Sequence, residues 1–184
     1  MIYPVGLKAV GIVVGLLLIA VHLFALWSGQ NAFRWLKDFP RSREAGTVLI
    51  VLAGIWSLIL VQTMDLGEFA RLRTIMAVAV VAGTFLAWRY LEEFLAVRAL
   101  GMLAMLAAEP LLEAAYLKPD PTRLLIVVLA YAWIIFGLFW VGVPWTLRDQ
   151  IQWLTSRLSL YKAAAFGGVV YGALILACAL IFWH

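Results

Sequence analysis

Apolar and polar positions in this chain are sorted into long blocks, not into alternation. A bilayer crossing takes about 20 residues of helix. Blocks of that length run over about 5–27, 45–64, 66–90, 95–117, 124–143 and 163–183, and each is expected to form a spanning helix. The segment 145–162 differs in kind. Leu147, Ile151, Leu154, Leu158 and Tyr161 recur there at steps of 4, 3, 4 and 3, with Arg148, Asp149, Gln152, Thr155 and Arg157 elsewhere on the wheel. One apolar stripe on a polar helix predicts an element lying in the interface. The expected fold class is therefore all-α: a polytopic transmembrane helical bundle of six spans plus one interfacial amphipathic helix, forming one integral membrane domain over residues 1–184.

The separators carry their own chemistry. Ser28-Gly29-Gln30-Asn31 predicts a turn after the first block. Arg34, Lys37, Arg41 and Arg43 then alternate with Phe33, Trp35, Leu36 and Phe39, a mixture suited to the headgroup zone. Asp65-Leu66-Gly67-Glu68 reads as a capping box that starts the third helix near Leu66. Lys118-Pro-Asp-Pro-Thr-Arg123 is a turn, because two prolines deny a helix its amides. The stretch between Trp88 and Gly101 holds no Gly, Pro, Asn or Asp. Two readings fit it. In one, an Arg89–Glu93 i,i+4 pair continues the third helix to a Gly101 cap. In the other, the helix breaks near Glu92 and a fourth span starts near Leu95. The first block is expected to be a retained span, since it exceeds the 7–15 apolar residues of a signal peptide.

Composition strengthens the membrane reading. Hydrophobic residues are 66% and charged residues 13% of the 184, against about 45–50% and about 25% in soluble domains. Mean hydropathy is +1.02. The net charge of +4 comes from loops, and no basic run interleaved with aromatics marks a nucleic-acid partner. Nine Lys and Arg fall in the connections 28–44, 89–98 and 145–162, and five on the opposite side. The basic side is expected to be cytoplasmic. That places both termini outside, in a bacterial-type inner membrane crossed many times.

Candidate chemistry is sparse. Glu109 and Glu113 stand one turn apart around Pro110 in an apolar block. A carboxylate at bilayer depth costs roughly 2.5–3.5 kcal/mol on insertion scales, so it is kept facing protein or water. The pair reads either as a proton or ion site or as structural groups paired with another helix. Arg89, Glu92, Glu93 and Arg98 form a charged belt at the membrane boundary. Arg98 lies three turns before Glu109 on the same face, about 16 Å away by helical rise. His22 is a weak candidate for cofactor ligation, and no second axial ligand accompanies it; no cofactor and no metal are expected. Cys178 is solitary and has no intramolecular partner.

Small residues repeat every four positions at Gly11/Gly15, Ala79/Gly83/Ala87 and Ala164/Gly168/Gly172. Such stripes let helices approach closely in lipid. The last stripe is the best candidate to face a partner. Trp27, Trp35, Trp88, Trp145, Trp153 and Trp183 fall at expected boundaries and form an aromatic belt. P-loop, HExxH, GxSxG and CxxC motifs are absent. The leading functional expectation is a non-catalytic structural, assembly or accessory component that meets a membrane-protein partner or a second copy. The alternatives are a proton- or ion-coupled transport unit built on Glu109 and Glu113, and an intramembrane lipid-modifying enzyme using Glu92 and Glu93.

Overall fold

Backbone amides in hydrocarbon have no water to bond, so each apolar block closes its hydrogen bonds within a helix. The computed structural model describes residues 3, 5–91 and 93–183, with every side chain among them except that of Gln30. Six helices in it are long and apolar enough to cross a bilayer. The protein is a multi-pass, all-α membrane bundle.

Helix α1 (Leu7–Asp38) is two helices that meet at a kink within the expected turn. Gly29 bends it with φ 47 and ψ −116, a conformation that glycine adopts and a Cβ opposes. The chain then resumes as a helix, and the spanning part is Leu7–Gly29. A 3-10 turn over Phe39–Arg41, with Pro40 in its first turn, leads to α2 (Arg43–Thr63). Ser42 caps α2, its Oγ accepting from the Ala45 amide at 3.2 Å. The far end of α2 is closed by Arg73, which donates to the carbonyls of Gln62 at 3.0 Å and Met64 at 2.8 Å. A cation there also suits the negative end of the helix dipole.

The expected capping box is an Asx turn instead. Asp65 Oδ1 accepts from the Gly67 amide at 3.0 Å, a 3-10 turn follows over Gly67–Leu72, and α3 proper is Arg73–Tyr90. The ambiguous stretch breaks. Leu91 leaves the helix, Phe94 takes a left-handed conformation at φ 57, and α4 (Leu95–Ala115) begins. Arg89 and Glu93 therefore never share a helix, and no ion pair joins them among the described residues. Gly101 lies inside α4 and caps nothing. A 3-10 turn over Pro121–Arg123 opens α5 (Leu124–Gly142).

The expected interfacial helix over 145–162 is shorter. Helix α6 spans Trp145–Leu154, and α7 (Leu158–Ile181) starts five residues earlier than the block at 163. The break has a local cause. The hydroxyls of Thr155 and Ser156 donate back to the carbonyls of Ile151 and Trp153, and Arg157 is extended.

Packing makes α4 the hub, in contact with α5, α2 and α1, while α1 pairs with α7 and α3 rests chiefly on α2. The main core joins Leu7, Val10 and Val14 of α1, Ala108 and Leu111 of α4, Ile126 of α5 and Ile175 of α7. A second cluster, of Phe39, Ala96, Val97, Leu147 and Ile151, gathers the ends of α1, α4 and α6. The three basic connections thus meet at one end of the bundle. The other end holds Trp183, whose indole donates to Thr122 Oγ1 at 2.8 Å. Trp183 sits at the expected boundary, but it is 1% exposed and packs into the bundle, whereas Trp27 is 89% exposed. Small residues make the tightest crossings. A Cβ on Gly101 of α4 would lie 2.7 Å from the Gly137 carbonyl oxygen of α5, and one on Gly15 3.0 Å from the Gly172 oxygen.

Candidate functional site

Helix α4 brings the intramembrane carboxylates to the end of the bundle opposite the basic connections. Its 21 residues rise about 32 Å, enough to cross the roughly 30 Å hydrocarbon core. Glu113 lies two residues before the helix ends, and Glu109 one turn deeper. Glu113 is tied down: its Oε2 accepts from the backbone amide of Tyr3 at 3.0 Å. The Tyr3 hydroxyl in turn accepts from Trp56 Nε1 of α2 at 2.7 Å. One residue of the N-terminal segment therefore bridges α4 and α2 at the rim. Glu109 is half-buried and makes no hydrogen bond or ion pair among the described residues. Pro110 beside it lacks an N–H, so the Leu106 carbonyl loses its intrahelical donor. As a carboxyl group, Glu109 is chemically able to take up and release a proton. No group of three His, Cys, Asp or Glu converges among the described residues.

Among the described residues, no ion pair joins Arg89, Glu93 and Arg98 of the charged belt. Arg89 is exposed and lies over its neighbour's ring, 5.7 Å from the Tyr90 centroid. Glu93 is exposed in the turn before α4, and Glu92 lies outside the described residues. Arg98 sits in the first turn of α4, and its Nε is buried without a hydrogen-bond partner among the described residues. His22 is accounted for by packing. Nδ1 lies 2.7 Å from the Leu18 carbonyl oxygen and donates to it. Cδ2 and Nε2 rest where a Cβ on Gly168 would be. The second histidine, His184, is outside the described residues.

The small-residue stripes divide. Gly11 packs under Trp183, and Gly15 under Gly172 and Leu176. The stripe on α7 meets α1 through Gly168 and Gly172, so its middle and far part are spent inside the chain, with Ala164 exposed at its start. On α3, Ala79 and Gly83 are exposed and only Ala87 turns inward. A Cβ on Gly83 would meet nothing within 4 Å.

Three features escaped sequence reasoning. The Tyr3–Trp56 contact joins residues 53 apart, with no spacing rule to connect them. The Gly101–Gly137 crossing had a signal, one glycine in each of two apolar blocks, but Gly101 also fitted a cap. Tyr161 and Tyr171 of α7 donate to the carbonyls of Ala25 and Leu125, at 3.0 and 2.8 Å. Tyrosines in an apolar helix are the only hint of such ties. Compared with family models, curated proteins and solved structures, the chain matches none. Its class, a multi-pass helical membrane protein, therefore rests on its own six spans.

Proposed function

We propose that this protein is a small non-catalytic component of a bacterial-type inner membrane that works by lateral association, with another membrane protein or a second copy, through the outer face of α3. The observation that carries this reading is the state of that helix. No residue of α3 is buried, and the open side of Gly83 is unfilled. A shallow apolar hollow of about 440 Å³ between Ala77, Val78, Val81, Ala82 and Phe85 lies on another side of the same helix. Lipid tails are as apolar as leucine, so helix association in a bilayer relies on close packing, which small residues permit. The other two small stripes are already used between α1 and α7. The excess of cations at the other end of the spans supports an orientation with both termini outside.

The test is co-purification in mild detergent from cells expressing two differently tagged copies, followed by mass spectrometry. The expected result is a stoichiometric partner or the second tag, lost in Gly83→Leu. Gly167→Leu is the control, because a Cβ at Gly167 of α7 also meets nothing. A wild-type monomer without partners, or equal recovery from both variants, refutes the reading.

Glu109 supports a second reading, proton-coupled transport, because its carboxylate lies within a span and lacks a partner among the described residues. Proton flux into liposomes carrying the purified protein, abolished by Glu109→Gln, is its expected signature. Flux unchanged by that substitution excludes Glu109 as the carrier.

A further inference from the structure

The basic end of the bundle holds two adjoining spaces of opposite character. The first is a cavity of about 570 Å³ between the 39–41 turn and α6, lined by Lys37, Asp38, Arg41, Ser42, Arg148 and Gln152 among others. The second is an apolar groove of about 680 Å³ with Trp35, Phe39, Val48, Leu100, Leu147 and Leu154 on its walls. Ile151 lines both, so one turn of α6 divides them. Each volume falls in the range of about 300–1,000 Å³ typical of ligand sites.

The charges are uneven. Arg148 is partly neutralised, its Nη2 lying 2.8 Å from Asp149 Oδ1. Lys37 and Arg41 form no ion pair or side-chain hydrogen bond among the described residues. Asp38 is the only carboxylate on the cavity wall, and Glu44 is the only one lining the groove. Two unpaired cations beside an apolar groove, at the level where helix ends meet headgroups, have one common complement. We infer that this end binds an anionic phospholipid, with its phosphodiester between Lys37 and Arg41 and an acyl chain along the groove. Arg41 is suited to the phosphate because its guanidinium presents paired donors to two oxygens. Asp38 is placed to accept from a headgroup hydroxyl, which favours a phosphoglycerol head over a choline head. The inference depends on the bundle lying in a bilayer and not on the association proposed for α3, and the two sites share no residue.

Native mass spectrometry of the full chain, titrated with phosphatidylglycerol or phosphatidylcholine in detergent, tests it. Phosphatidylglycerol should be retained over phosphatidylcholine. Removing a basic side chain should weaken that retention about fivefold, the usual attraction of one such residue to an anionic surface. Lys37→Ala with Arg41→Ala should weaken it about 25-fold, and Lys118→Ala at the other end should change nothing. Val48→Trp, filling the groove, should weaken retention with both cations intact. Soluble glycerophosphate should not compete at the same concentration. Circular dichroism checks that each variant remains helical; the altered side chains lie exposed on the outside of the bundle except for half-buried Lys118. Equal retention of both lipids, a double variant that holds phosphatidylglycerol like the wild type, or full competition by glycerophosphate overturns the inference.

Discussion

Replacing Gly101 by alanine tests the packing of α4 against α5 with a single methyl group. The built Cβ lies 2.7 Å from the Gly137 carbonyl oxygen, 3.0 Å from Val141 Cγ2 and 3.1 Å from Trp140 Cβ. The nearest atom is backbone, so no rotamer change clears the way. Ordinary van der Waals contact starts at 3.4 Å, which leaves about 0.7 Å for the helices to move apart. A gap of about 0.5–1 Å forfeits a quarter to a half of the attraction at each affected atom pair. In lipid that attraction is a main force holding helices together. Overpacking of this kind costs about 1–3 kcal/mol, while alanine returns about 0.5–1 kcal/mol of helix propensity. The cost wins over nearly all of these ranges, with a net loss of up to about 2.5 kcal/mol. Gly137→Ala should lose a similar amount, because its Cβ would stand 2.7 Å from the Gly101 oxygen. Gly83→Ala, in open space, should lose nothing to packing and gain about 0.5–1 kcal/mol of helix propensity. The assay is unfolding of the purified protein in mixed detergent with rising SDS, followed by circular dichroism. A Gly101→Ala variant as stable as Gly83→Ala would show that the α4–α5 crossing is not close.

Two further outcomes follow from single contacts. Gly168→Ala should destabilise the bundle by about 1–3 kcal/mol because its methyl meets the His22 ring; adding His22→Ala should remove most of that cost, and strictly additive SDS unfolding energies for the pair would refute the contact. Trp183→Phe should cost about 0.5–1.5 kcal/mol through the lost bond to Thr122 and more through the cavity the smaller ring leaves, and Thr122→Val should add little on top; a double-mutant cycle with no coupling would rule the bond out.

The spans were legible because hydropathy is a one-dimensional signal. Every amide in lipid must be satisfied locally, so a block of apolar residues has few other conformations. Boundaries set by tertiary contact were less legible. The break between α3 and α4 falls on Leu91 and Phe94, neither of them a turn former. It is fixed from outside: Leu95 and Ala96 press against Gly46 of α2, where a Cβ would come within 3.0 Å of either residue. The end of α6 was missed because Leu158 and Tyr161 continue the apolar spacing, and the Thr155 and Ser156 hydroxyls decide against it. The carboxylates were visible as unusual residues, but the tie from Tyr3 to Glu113 was not. Pairing was hardest of all. Three similar small-residue stripes give no indication of which two meet, and the one expected to face a partner is used internally, against α1.

The two proposed surfaces use different physics and so separate experimentally. The face of α3 offers shape without charge, and its contribution should not depend on salt. The cavity between the 39–41 turn and α6 offers charge beside an apolar wall, and retention of a lipid there should fall as ionic strength rises, since a Debye length is about 8 Å at physiological salt. The bundle allows this division because α1, α4, α5 and α7 share one continuous core. Helix α3 is left at the edge on α2, and α6 lies across the basic end, packing Leu147 and Ile151 on the second cluster. Changes at Gly83 and at Lys37 with Arg41 therefore touch neither the main core nor each other. Loss of partner binding in the first and of lipid retention in the second, each without the other, is the pattern this architecture requires.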